Sequence, residues 1–444
     1  MPSSNDSGRP AHTGPRLIRQ FTALGTSTLI RVMVGFVLFV LIAREWRASL
    51  FGEFMYFFAV AALLVQVCEY GFSQQILREV GFRPDAAPVR MGEYFAAKAW
   101  LTLLTWVGAL VFMLVGGLAA TQATAFALLL CAGTLMSFSD FLMSCYRATG
   151  RYARESRITL LGNLVYFVLT LAALYSDGGL IGVAAAIAGG RLFHLAVTIV
   201  DYRKCMPRWV AASFRPSAVW PVVWRGGAYG LNVALGTAMV NLDTVLISHT
   251  LGFVATGEYQ AAARFYQGAA LLPPVFAGVF LPRMSREVGN PSRFGVLAQK
   301  VNLSMLLAGG VVALVFLSGV YWHRWIYPDP SLAVVGQLLP WFGLLALVQF
   351  VASAQGIAVT ALGGQSTRAM MLVVALILLL VSAPPLMHRF GVAGMVFAVT
   401  AAYLLLALAF WLWNARNGVR TSGAWAVSVL SAVMAAALVL NFLG

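Results

Sequence analysis

The sequence predicts an all-α polytopic membrane protein with about 12–13 transmembrane helices in two parallel six-helix lobes. Three observations carry this prediction. The first is composition. The 444 residues are 60% hydrophobic and only 10% charged, with a mean hydropathy of +0.83, whereas soluble domains carry roughly 25% charged residues. The second is length: apolar stretches such as those around Met370–Val381 and Leu404–Trp413 approach 20 residues, enough to cross roughly 30 Å of hydrocarbon. The third is a duplication. Gly52-Glu53-Phe54 opens a long apolar segment that closes at Arg78-Glu79-Val80, and Gly257-Glu258-Tyr259 opens another that closes at Arg286-Glu287-Val288. Leu24-Gly25 pairs with Tyr229-Gly230, Gly150 with Gly363, and Gly179 and Gly182 with Gly391 and Gly394, at offsets of about 205 to 213 residues.

Hydropathy places helices at 20–43, 51–77, 92–116, 121–147, 157–175, 179–201, 219–249, 256–281, 300–321, 332–361, 367–388, 391–413 and 424–443. That is six per repeat plus one. Six is even, so both repeats enter from the same side and are related by an axis along the membrane normal. The expected organisation is a disordered polar tail over 1–15, a first lobe over 16–201 and a linker over 202–218 that could lie as an amphipathic surface helix. A second lobe follows over 219–413 and an extra helix over 414–444. A β-barrel does not fit, because the period-2 alternation of about 10-residue strands is missing. No cleavable signal segment is expected at the N-terminus.

Charge orients the helices. Of the 30 Lys and Arg, 22 fall in the N-terminal tail and around the loops that follow even-numbered helices, and four (Arg44, Arg47, Arg324, Arg389) on the opposite side. Short loops rich in Lys and Arg stay cytoplasmic, which places the N-terminus in the cytoplasm and the chain in a bacterial inner membrane. Basic loops beside an anionic leaflet account for the net charge of +15 without nucleic acid. Cys68, Cys131, Cys145 and Cys205 have no metal or redox spacing, and disulfides are not expected. With no Walker, GxSxG or HExxH sequence, neither an ATP-driven pump nor a hydrolase is supported, and no cofactor or metal is expected.

The chemistry then rests with polar residues inside the spans, which must face the bundle interior or a wet cavity. Helical spacing aligns Ser27 with Arg31 in the first helix, Gln66, Glu69 and Ser73 in the second, and Ser137, Asp140, Ser144 and Arg147 in the fourth. Arg191, His194, Thr198 and Asp201 align in the sixth, Thr237, Asn241, Thr244 and Ser248 in the seventh with Asp243 on the flank, and Gln260, Arg264 and Gln267 in the eighth. Helices nine, eleven and twelve carry few such residues and are expected to face lipid. Arg31, Arg264, Gln260, Gln267, Asn241 and Ser27 are the candidate substrate-binding residues. Glu69, Asp140, Asp243 and Arg191 are candidates for coupling or charge balance. Each has a structural alternative: Arg31 as an ion pair with Glu69 or Asp140, Arg191 and His194 bonded to backbone carbonyls or Asp201, Asp140 and Arg147 as packing or gate residues. Lys98, near a helix end, is expected to snorkel.

The repeated GE[FY], apolar helix and Arg-Glu close, followed by the basic turn from Arg147 to Arg151, resembles the polysaccharide-exporting branch of the MOP superfamily. So does Asn241-Leu-Asp243-Thr-Val-Leu-Ile247 leading to Gly257-Glu-Tyr-Gln260 and Arg264, with Leu281-Pro-Arg-Met-Ser-Arg286. That branch includes O-antigen-type flippases, and lipid II flippases and MATE drug exporters are its relatives. The resemblance, over roughly 16–413, implies two lobes in a V around a cavity that opens alternately to each side. It implies an undecaprenyl-diphosphate-linked oligosaccharide as cargo, cationic residues of helices one and eight (here Arg31 and Arg264) in the cavity, and association with polymerase and chain-length proteins. A MATE-type cation antiporter and a lipid II flippase are the competing readings. A membrane polymerase or ligase would carry large periplasmic loops, which this sequence lacks.

Overall fold

In the computed structural model, residues 33–206 and 214–419 are described. They are helical almost throughout, with no strand among them. Helix α1 covers 33–45. It is followed by α2 (Ala48–Glu69), α3 (Phe72–Phe82), α4 (Ala87–Val115), α5 (Ala120–Ala148), α6 (Tyr152–Tyr175) and α7 (Gly179–Cys205). The second half contains α8 (Pro216–Ala269), α9 (Leu272–Arg286), α10 (Pro291–Leu317), α11 (Gly319–Ile326), α12 (Val334–Ala361), α13 (Gln365–Phe390) and α14 (Val392–Arg416). Ten stretches among the described residues are long and apolar enough to span a bilayer. The predicted tail (1–15), the first part of helix 20–43, residues 207–213 of the linker and the last helix (424–443) lie outside the described residues.

Three predicted helices are less regular than hydropathy suggests. The 51–77 helix is α2 and α3, broken where Tyr70 and Gly71 take positive φ of 45° and 71°. The 219–249 and 256–281 helices run together as α8, which bends at Gly252 (φ 86°) and ends at Ala269 before α9 begins. The second helix of each repeat therefore breaks at a comparable depth. Hydropathy averages over about 19 residues and does not register a two-residue change in φ.

The apolar core explains the V. One cluster joins residues of both halves, from Leu38, Phe51 and Phe57 to Tyr259, Leu339 and Val399. Away from it the core forks. One branch holds Phe72, Met91, Phe141 and Tyr146 together with Val219 and Val222 from the first turns of α8. The other holds Met284, Phe294, Met305 and Phe350. The core is thus shared by both halves at one end and forks at the other, where the first turns of α8 still pack against the first half.

The fused end is built on the duplicated Gly-Glu anchors. A Cβ on Gly52 would lie 1.8 Å from the Phe253 carbonyl oxygen, and one on Gly257 would lie 1.9 Å from the Ala48 carbonyl oxygen. At the repeat offset of about 205, Phe253 is the counterpart of Ala48 and Gly257 of Gly52. The contact is therefore reciprocal, as an axis of two-fold pseudosymmetry requires. Only glycine lets the two backbones approach this closely.

Exposure sorts the helices. In α4, α10 and α13 only 22% of the membrane-spanning window is buried, and their exposed faces carry Leu, Val, Ile and Met. The lipid-facing assignment holds for the predicted ninth and eleventh helices (α10 and α13). It fails for the twelfth, α14, which is half buried against α12, itself 72% buried. An apolar helix in a membrane can face lipid or core, so low polarity alone does not choose between them.

Candidate functional site

The residues at the bend of α8 form one connected polar wall. Asp243 sits one turn before Ile247, and its carboxylate accepts from the Thr244 backbone N–H at 2.6 Å, the Thr244 hydroxyl at 3.1 Å and the Tyr259 hydroxyl at 2.7 Å. Gln260, 1% exposed, donates from Nε2 to the Thr244 hydroxyl and accepts from Arg264 Nη2 at 2.6 Å. Ser248 and Thr256 bridge the bend at 2.8 Å. The bend brings the two arms of α8 side by side, so that residues 16 apart in sequence bond directly.

Arg264 closes this wall toward the first half of the chain. Its guanidinium lies 4.5 Å from the centroid of Phe39 and 3.8 Å from the Met55 sulfur, and its Nε has no hydrogen-bond partner among the described residues. At the repeat offset of about 205, Phe39 and Met55 are the counterparts of Thr244 and Gln260. Leu38, Phe54 and Ala59 correspond to Asp243, Tyr259 and Arg264. Every polar member of the network has an apolar, buried counterpart. One repeat thus supplies the polar wall of the Arg264 site and the other the apolar wall.

Arg191 comes from the opposite lobe. It bonds Asn163 Oδ1 at 3.2 Å and lies 4.0 Å over the Tyr166 ring. The sequence expectation that Arg191 bonds a backbone carbonyl or Asp201 is not met. Asp201 instead takes the Tyr146 hydroxyl at 2.7 Å and Arg154 at 3.4 Å.

The remaining candidates disperse. Asn241 donates to the Thr237 carbonyl at 2.9 Å and lines, with Gln74 and Thr237, a separate open cavity of about 410 Å³. Gln267 is half-buried three residues beyond Arg264. Asp140 is half-buried on α5, where its backbone carbonyl accepts from Arg147 at 3.4 Å while Arg147 pairs with Glu155 at 3.3 Å. Ser27 and Arg31 lie outside the described residues.

Glu69 belongs to a second cluster, at the break between α2 and α3. Ser137 donates to its carboxylate at 2.5 Å, Ser73 at 3.0 Å, and Lys98 Nζ lies 3.4 Å away. Lys98 also donates to Ser137 at 2.5 Å and to the Cys68 carbonyl at 3.0 Å. It does not snorkel: it is 0% exposed, with its ammonium 5.2 Å from the Phe138 centroid. The helix break frees a carbonyl that attracts the ammonium inward, and no distance-to-helix-end rule anticipates that. Tyr259, the Asp243 partner, was visible in sequence only as the third residue of the duplicated motif. The four cysteines are free, and no cluster of metal-ligating side chains occurs among the described residues.

Two lobes, breaks in the paired second helices and an arginine at the lobe junction describe a multi-pass helical membrane protein with a polar site between its halves. Residues 17–288 match the family model described as polysaccharide biosynthesis protein, and the chain belongs to that family. No curated protein matches it significantly in sequence. Among solved structures it is similar to the lipid II flippase MurJ in an inward closed conformation, with a TM-score of 0.72 at 11% identity over 94% of this chain and 92% of that one. It is also similar to an inward-facing multidrug resistance MATE family transporter of the MOP superfamily, with a TM-score of 0.70 at 14% identity, over 90% and 98%. An outward-facing structure from that transporter family scores 0.61 at 16% identity, over 90% and 95%.

Proposed function

We propose that this protein flips an undecaprenyl-diphosphate-linked oligosaccharide across the bacterial cytoplasmic membrane by rocking its two lobes, with the N-terminus in the cytoplasm. The observation that carries this reading is Arg264. A diphosphate carries about two negative charges and faces a large penalty in hydrocarbon unless it is paired. Arg is always charged and offers forked donors to phosphate oxygens. Arg264 stands at the lobe junction with Nε unpartnered and only one side occupied by Gln260. Arg191, in the other lobe, lies over the Tyr166 ring. Arg31, the cation that the family resemblance adds to this reading, lies outside the described residues. The lobes correspond to 16–201 and 219–413, and the fused end, which carries Arg44 and Arg47, is periplasmic by the charge asymmetry. The protein then stands closed toward the periplasm.

The cation-antiporter reading is less well supported. Its most eligible carboxylate, Asp243, already accepts from three donors on both oxygens, which leaves little capacity for a cationic substrate. The test is surface polysaccharide in cells that depend on this protein. Arg264→Ala should lose at least 90% of export at normal membrane abundance, and Arg264→Lys should recover part of it. Wild-type export by Arg264→Ala would sink the anionic-cargo reading.

A further inference from the structure

At the end where the core forks, a cavity of about 340 Å³ lies between α3, α4 and the first turns of α8. Gln75, Arg78, Glu79, Tyr94, Arg225 and Tyr229 line it. It is distinct from the Arg264 site, which sits at the fused end. We propose that this cavity is a binding site for the phosphate group of a membrane lipid.

Four observations support this. The first is charge. Glu79 shares Arg90 (3.1 Å) with Glu93 (2.7 Å), and among the lining residues Arg78 and Arg225 outnumber Glu79, which leaves the cavity net positive. Arg78 is aimed by the Tyr229 hydroxyl at 2.6 Å, and the recorded bond of Arg225 uses only its Nε, to the Pro221 carbonyl at 3.2 Å. The second is an unsatisfied donor. Gln75 is 4% exposed, and its amide nitrogen has no partner among the described residues. A buried donor left unpaired costs on the order of 1–3 kcal/mol, so such a group inside a cationic cavity fits an acceptor that arrives from outside. Gly226 makes room for that amide: a Cβ there would lie 2.5 Å from Gln75 Nε2. The third is depth. Trp220 and Trp224 project from the same first turns of α8, 62% and 77% exposed, and exposed Trp marks the headgroup level of a bilayer. The fourth is size. Ligand pockets begin at about 300 Å³, so the cavity holds a phosphate or diphosphate headgroup and not an oligosaccharide.

The ligand chemistry has two sources: the diphosphate of an isoprenoid lipid or the phosphodiester of an anionic phospholipid. Both are tested on the purified full-length protein, with farnesyl diphosphate titrated in detergent and dioleoylphosphatidylglycerol counted by native mass spectrometry. The decisive variant is Gln75→Leu. It removes an unpaired buried donor, so the melting temperature should hold or rise, while affinity for the true ligand should fall roughly tenfold or more. Arg225→Gln should weaken the same ligand and serves as the reading if Gln75→Leu misfolds. Loss confined to farnesyl diphosphate assigns the isoprenoid source, and loss of phosphatidylglycerol assigns the phospholipid. Wild-type binding of both probes by the folded variant overturns the site. Arg264→Ala is the control: if it abolishes farnesyl diphosphate binding while Gln75→Leu binds normally, this site is wrong and the Arg264 cavity stands. The reverse pattern leaves this site standing without the other.

Discussion

A lysine with no exposed surface inside a membrane helix needs a complete set of partners, and Lys98 has one: Glu69, Ser137 and the Cys68 carbonyl, with an aromatic ring alongside. Breaking one member of a buried ion pair costs about 3–5 kcal/mol because the other charge is stranded. Glu69 keeps about a fifth of its side chain exposed, so the lower part of that range applies. Lys98→Met and Glu69→Gln should each lower the melting temperature in detergent, and the double variant should be more stable than Lys98→Met alone. Additive losses would mean that the two groups are not coupled. Glu69 was legible as a polar residue on an interior face, because helical spacing groups it with Gln66 and Ser73. Its partner was not, because Lys98 lies 29 residues away on another helix and periodicity says nothing of which faces meet. The same limit explains Arg191, whose partners Asn163 and Tyr166 are on α6.

The seam between α2 and α8 decides how the lobes hold together. The polar hydrogen bonds that join the halves along and beside it are few: Gln66 with Thr237 at 2.5 Å, Tyr56 with His249 at 3.2 Å, Arg78 of α3 with Tyr229, and the Ala48 N–H with Ser331 of the turn before α12 at 3.2 Å. Interhelical hydrogen bonds in membranes average about 0.6 kcal/mol, so the four contribute roughly 2–3 kcal/mol together. That is small enough for a seam that opens in each turn of the proposed cycle, and close packing at Gly52 and Gly257 carries the rest. An added methyl there meets a carbonyl oxygen below 2 Å, and backbone cannot step aside as a side chain can. Overpacking typically costs about 1–3 kcal/mol. Gly52→Ala and Gly257→Ala should therefore shift the lobes toward the state open at this end by roughly tenfold or more, read as longer spin-label distances across the junction. Unchanged distances in both variants would show that the contact does not set the conformation. The duplicated Gly-Glu motif was visible in sequence as a repeat, but only the fold shows that the two copies touch each other.

At the scale of the whole molecule, the duplication is symmetric in frame and asymmetric in chemistry. Helix order, two lobes and the lipid-facing α10 and α13 were legible, because hydropathy and repeats report on solvent and topology. The Arg264 network was partly legible: Arg264, Gln260 and Asp243 were singled out by spacing, but their apolar counterparts Phe39 and Met55 acquire meaning only once the lobes meet. Alternating access requires that this meeting be temporary. Ala48 and Ser331 lie on opposite sides of the fused end, joined by a single hydrogen bond of 3.2 Å, so a cysteine pair at these positions tests whether the two sides must part. With the four native cysteines substituted, Ala48→Cys/Ser331→Cys should transport normally when reduced. On oxidation it should lose transport almost completely, and reductant should restore it. Either single variant should be indifferent to oxidant, which separates locking from damage. If the cross-link forms and transport of polysaccharide precursor continues at the reduced rate, this end does not open during the cycle, and the lobes cannot work by rocking about the Gly52–Gly257 contact.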